Sequence, residues 1–151
     1  MKKIYFIFIC TTLTFLSCNT DDCEDYNCFT PPSPFLFELV DKTSGENLFT
    51  NVTYSPEDIN IINTLDNNAK TEFEFIDEDN YNIIQINSIG WKTETVNLEV
   101  KIKDETIFNL YVDSERKNED CCSFTNYKAV EIQNVEYTQE DQFDIYTILV
   151  L

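Results

Sequence analysis

The chain has 151 residues, with 10 Lys+Arg against 28 Asp+Glu and a formal charge of −18 at pH 7; it contains no histidine and two glycines. Such a charge argues against a nucleic-acid partner, because it would repel phosphate. The lack of histidine removes His-based triads, most zinc enzymes and the usual general base near neutral pH. Gly45 and Gly90 lie too far apart to build a phosphate-cradling GxGxxG or Walker loop.

In chain order, the first element is a leader. Lys2 and Lys3 precede an apolar run, residues 4–16, that leads to Ser17 and Cys18, and no acid appears before Asp21. This is the layout of a signal peptide. A run of 13 residues interrupted by Thr11, Thr12 and Thr14 falls short of the roughly 20 apolar residues that span a bilayer. Phe15-Leu16-Ser17-Cys18 resembles the lipobox of bacterial lipoproteins, with Phe15 where Leu is commonest; Cys10 is a poorer fit because bulky Ile9 precedes it. The resemblance implies a signal peptide over residues 1–17, cleavage before Cys18, and acylation of Cys18 by two or three chains such as palmitate. At about 0.8 kcal/mol per buried methylene, that lipid anchor is effectively permanent. An ordinary secreted protein cut near Ser17, or a buried N-terminal strand, is the alternative. Asn19 is similar to an outer-membrane sorting residue, and Asp21, Asp22, Glu24 and Asp25 are similar to the surface-export signal of Bacteroidota lipoproteins, or form a solvated linker. The expected location is the outer membrane, with the domain periplasmic or surface-exposed.

Residues 18–34 read as an acidic, Pro-rich tether, stiffened near its end by Pro31, Pro32 and Pro34. Losing Lys2 and Lys3 with the leader leaves eight Lys+Arg against 28 Asp+Glu, a formal charge of −20 on the mature chain. Besides the anchor, Cys23, Cys28, Cys121 and Cys122 remain, and an even set in an exported protein reads as disulfides. Joining Cys121 to Cys122 needs a strained ring, so two bridges between the N-terminal segment and the late pair are expected, Cys28 to one of the late pair first. The rival is a four-thiol metal site, disfavoured by the CxxxxC spacing and an oxidising compartment.

From Phe35 onward the hydrophobic period is two, so residues 35–151 read as one domain built from strands. Phe35, Phe37 and Leu39 share a face in the first. Residues 47–54 and 59–63 come next as strands, with Ser55-Pro56-Glu57-Asp58 giving one helical turn at most. Phe73 and Phe75 alternate with Glu72 and Glu74, and residues 81–88 form a further strand. Val96, Leu98, Val100 and Ile102 oppose Asn97, Glu99, Lys101 and Lys103. With Phe108, Leu110 and Val112 across a reversal at residues 103–106, they make a hairpin. Residues 123–137 and 143–151 complete about eight to ten strands. The predicted fold is all-β, a single antiparallel β-sandwich.

Asp41, Thr43, Gly45 and Glu46 match, with Ser44 as an insertion, the Val-Asp-x-x-Thr-Gly-Glu turn of carboxypeptidase-regulatory and transthyretin-like sandwiches. The stretch of residues 35–54, with Asp58-Ile59 and Cys121-Cys122-Ser123-Phe124, also resembles small lipoproteins of Bacteroidota. About 20 residues carry the likeness. It implies an Ig-like or transthyretin-like sandwich and brings no catalytic residues with it.

No catalytic set is expected, since carboxylates are too abundant for any chosen pair to be informative. Calcium is the cofactor with a chemical case: Asp77, Asp79 and Asn80 place oxygens in one loop, although EF-hand spacing is absent and a solvated acidic turn is the simpler account. Trp91, after a turn glycine, is the aromatic most suited to ligand contact. The leading expectation is a non-enzymatic cell-envelope lipoprotein binding a protein or glycan. The alternatives are an inhibitor or immunity-like protein that captures a basic enzyme by electrostatic steering, and a structural accessory of an envelope complex.

Overall fold

A computed structural model describes residues 28–78, 81–119, 121–140 and 144–151. The leader, Cys18, Cys23, Asp79 and Asn80 lie outside the described residues. Among the described residues are eleven strands and one short 3-10 turn: β1 (Cys28–Phe29), β2 (Phe35–Asp41), the turn Pro56–Asp58, β3 (Ile59–Asn63), β4 (Ala69–Lys70), β5 (Glu74–Ile76), β6 (Ile83–Ile86), β7 (Glu94–Ile102), β8 (Glu105–Glu119), β9 (Cys122–Gln133), β10 (Glu136–Glu140) and β11 (Ile145–Val150). The all-β expectation holds. The strands form a six-stranded sheet, β1-β9-β8-β7-β3-β4, and a five-stranded sheet, β10-β11-β2-β6-β5.

One core lies between the two layers. Phe37, Leu39, Ile84, Ile86 and Ile148 of the five-stranded sheet share a cluster with Ile61, Leu98, Val100, Phe108, Leu110 and Val112 of the other. Phe37 meets Phe108 across it at a centroid distance of 4.9 Å. Alternation in β7 points Val96, Leu98, Val100 and Ile102 inward, as the sequence predicts. The β7–β8 hairpin closes with Ile102 opposite Glu105, and Lys103 takes a φ of 58° in the turn between them. A bulge there lets neighbours Ile107 and Phe108 both be buried.

Both sheets are mixed, which corrects the purely antiparallel expectation. β11 runs parallel to β2, with Ile145 opposite Leu36 and Val150 opposite Asp41, and β1 runs parallel to β9. Hydrophobic alternation specifies which face of a strand is buried and carries no information on its direction. The direction is set by β10 and β11, an antiparallel pair that returns the chain beside its own first long strand.

The strand expected over residues 47–54 is a run of turns joined to β2 by a single bridge, Val40 to Asn47. Asn47 is the cause. Its Oδ1 accepts from the backbone N–H of Phe49 at 2.9 Å and of Thr50 at 3.2 Å, while its amide donates to Glu38 Oε1 at 3.0 Å and Asn82 O at 3.2 Å. A side chain that supplies its own backbone with acceptors competes with a ladder, and adjacent Leu48 and Phe49 both turn inward as a result. Residues 123–137 likewise break into β9 and β10 around Asn134, whose φ is 68°. The 3-10 turn keeps Pro56 in its first turn, but Ser55 donates its hydroxyl to Glu57 Oε2 at 2.7 Å and caps nothing.

Candidate functional site

Two features at opposite ends of the sandwich stand out. At the first end the chain enters. Cys28 is bonded to Cys122 across 94 residues of sequence, with the two Cα atoms 4.5 Å apart. This is the pairing of Cys28 with the late pair that the sequence predicts. Cys121 is disulfide-bonded as well. The bridge lays β1 along the edge of β9, and the Thr30 N–H extends the ladder to Ser123 O at 2.8 Å.

Arg116, on β8, pins the segment that leaves β1. Its Nη1 donates to Thr30 O at 2.8 Å and Thr125 Oγ1 at 2.9 Å, and its guanidinium lies 4.8 Å from the centre of the Phe29 ring. The Thr125 hydroxyl donates onward to Gly90 O at 2.7 Å, and the Gly90 N–H donates to Glu94 Oε1 at 3.0 Å. Gly90 is required here: its φ is 90°, and a Cβ would lie 2.9 Å from the Tyr127 hydroxyl and 3.2 Å from Pro32 Cβ. Tyr127 donates to Ser33 O at 3.2 Å, and burial pushes its phenol above the usual range, Arg116 pulling it down and Glu94 pushing it up.

This network presents Trp91. Its Nε1–H donates to Asn87 O at 2.7 Å, and its ring stacks on Phe29 at 6.1 Å and an interplanar angle of 25°. Trp91 is nevertheless 52% exposed and Phe29 59% exposed. The two rings make one aromatic surface whose indole N–H is already satisfied, while Arg116 Nη2 beside it is buried without a hydrogen-bond partner. Sequence reading singled out Trp91 and missed Phe29 and Arg116. The available signal for Phe29 was its place next to Cys28, which fixes where that segment is tied down.

β2 runs away from this end, from Phe35, 5.5 Å from Tyr127, to Asp41. There, an open groove of about 450 Å³ is lined by Lys42, Glu105, Ile107, Asn134, Glu136 and Leu149 among others. Lys42 Nζ lies 2.7 Å from Glu136 Oε1. The neighbouring turn is held by Asp41, whose Oδ1 accepts from the N–H groups of Ser44 at 2.7 Å and Thr43 at 2.9 Å. Those bonds, Ser44's first, hold its carboxyl below the usual range. Gly45, at φ 74° with open space around it, completes the turn, in keeping with its reading as a turn glycine.

Of the calcium candidates, Asp77 is exposed after β5, and its two companions lie outside the described residues. Among the described residues, no group of three or more His, Cys, Asp or Glu could hold a metal ion. Among them, too, no helix is long and apolar enough to cross a membrane.

The fold defines the class of the protein: an all-β body of two mixed sheets with a disulfide-clamped entry strand. Compared with known proteins, the chain gives no significant match to a family, a curated protein or a solved structure.

Proposed function

We propose that this chain is a non-enzymatic cell-envelope lipoprotein, held to the outer membrane by acyl chains on Cys18, whose sandwich binds a protein or glycan. The observation that carries the reading is the groove at the end opposite the chain entry. Its volume lies within the range of ligand clefts, about 300–1,000 Å³. Its lining mixes apolar Ile107 and Leu149 with Lys42, Glu105, Asn134 and Glu136, a combination suited to an extended polar partner. A tether at the far end leaves the groove presented away from the membrane.

The expected second bridge, Cys23 to Cys121, completes the clamp in this reading. The Asx-type turn at Asp41 supports a transthyretin-like ancestry for that hairpin region, and the mixed sheets would then be a variation on it.

The deciding experiment is affinity purification of the tagged lipoprotein from its own membranes, in native form and as Glu105→Lys/Glu136→Lys. Recovery of one partner by the native chain and its loss from the variant, with melting temperature unchanged, is the expected result. No enriched partner, or equal recovery by both, removes the groove as the binding surface.

Capture of a basic enzyme is the second reading, favoured by how the charges are arranged. Lys42, Lys92, Lys101, Lys103, Lys117 and Lys128 each lie within 4.0 Å of a carboxylate. These six cations are neutralised locally, so the field beyond the surface is dominated by the excess acid. A partner bound this way would be released as salt rises, whereas one held by the groove's apolar lining would persist.

A further inference from the structure

We propose that the Phe29–Trp91 surface docks on the lipid headgroup interface of the bilayer that carries the acylated Cys18, fixing the domain with its groove outward. The inference rests on the lipoprotein reading and adds an orientation to it. Three observations carry it.

The first is reach. Nine residues separate Cys18 from Cys28, so at roughly 3.5 Å per residue the clamp at Cys28 lies at most about 35 Å from the acylated sulfur. The Cys23–Cys121 bridge proposed above would bring the nearer attachment point, Cys23, to within about 18 Å of that sulfur. Phe29 is the residue directly after the clamp, so the aromatic surface lies within the tether's reach of the bilayer.

The second is chemistry. Trp partitions into the headgroup region, where an apolar ring and a polar edge are both accommodated, and Phe supplies apolar surface beside it. The Trp91 N–H is already satisfied by Asn87 O, and the Phe29 ring carries no polar atom. Neither ring therefore carries an unsatisfied group into a drier layer.

The third is charge. A mature chain with 28 acids and eight cations is repelled by an anionic surface. At the aromatic end the guanidinium of Arg116 offsets part of that repulsion, while Lys92 is paired with Glu94 at 3.8 Å, so a zwitterionic surface is favoured over an anionic one.

Trp91 is the sole tryptophan, so it reports on its own surroundings. The full lipoprotein is reconstituted into phosphatidylethanolamine–phosphatidylcholine vesicles in which part of the lipid is brominated near the headgroup. Co-flotation and the mass of the N-terminal peptide read the anchor; Trp91 emission reads the docking. The expected result is about a two-fold loss of emission and reduced access to iodide, both reversed in Phe29→Ser and both weaker with anionic phosphatidylglycerol added. A chain that floats with the vesicles while Trp91 stays unquenched and open to iodide overturns the docking and leaves the anchor standing. An unmodified thiol at Cys18 with no flotation overturns the anchor, and the docking with it. Protection of Trp91 only on adding a soluble glycan or protein also overturns the docking, and assigns the aromatic surface to that ligand.

Discussion

At the scale of single residues, backbone conformation marks three positions where substitution has a signed outcome. Gly90 combines φ 90° with three close neighbours, so Gly90→Ala adds left-handed strain and overpacking. A loss of about 2–3 kcal/mol is expected by urea unfolding. Gly45→Ala, with open space around it, should lose only about 1 kcal/mol; equal losses at both sites would refute the close approach at Gly90. Val52 is the reverse case, a β-branched residue at φ 65° on an exposed turn. Val52→Asn should therefore raise stability by about 1 kcal/mol. Asp41 and Glu99 both contribute on the acid side of the profile. Glu99 is held below the usual carboxylate range by the Thr106 hydroxyl at 2.5 Å and then by Lys101. A depressed folded-state pKa contributes stability above the unfolded value and loses it as pH falls through the folded one. Thermal melts between about pH 5 and pH 2 should fall less steeply in Asp41→Asn than in the native chain; superimposable acid limbs would show that the Asp41 turn contributes nothing.

At the scale of elements, the clamp between β1 and β9 carries the largest single contribution open to test. Closing 94 residues with Cys28–Cys122 is worth about 4–5 kcal/mol in the chain-entropy model. Full reduction, which opens the Cys121 bridge as well, should lower stability by at least that amount. Cys28→Ser alone should lose only about 2 kcal/mol if a second bridge from Cys23 to Cys121 keeps the long loop closed. A loss as large as full reduction would place the second bridge elsewhere. Strand extents show where sequence reading stops. Val96 to Ile102 and Phe108 to Val112 were legible because one face is apolar and the other polar. β8 nevertheless continues to Glu119, paired residue by residue with β9. Past Val112 its side chains are polar on both faces, and buried Ser114 satisfies its hydroxyl on Glu94 O at 3.2 Å. What sustains it is the hairpin ladder with β9, the next strand in the chain, a pairing that alternation within one strand does not encode. Residues 47–54 fail in the opposite sense: the alternation is present, and local Asn47 bonds override it.

At the scale of the whole molecule, charge and edges work together. Unneutralised acid repels itself across the surface, so raising ionic strength from about 0.01 M to about 0.15 M should raise the melting temperature as the screening length falls from about 30 Å to about 8 Å. An unchanged or lower melting temperature would mean that local ion pairs outweigh the net repulsion. The same acidity protects the sheet flanks. β4 has two residues and β5 three, while β10 begins and ends in Glu136 and Glu140. Short or charged edges resist pairing with another chain. The outer edge of β9 is closed at its start by β1, which keeps the clamp, the aromatic surface and the chain entry at one end.

Composition and period, which are local properties, were enough to determine an all-β body, the inward faces of β2, β7 and the start of β8, the turn at Asp41 to Glu46, and the bridging of Cys28 to the late cysteine pair. Only the tertiary structure decided that β11 lies parallel to β2, that Cys122 is Cys28's partner, and that Phe29, Trp91 and Arg116 meet at the opposite end from Lys42 and Glu136. Those outcomes depend on which distant segments become neighbours. That choice is made by how two sheets bury one core together, and no stretch of the chain specifies it alone.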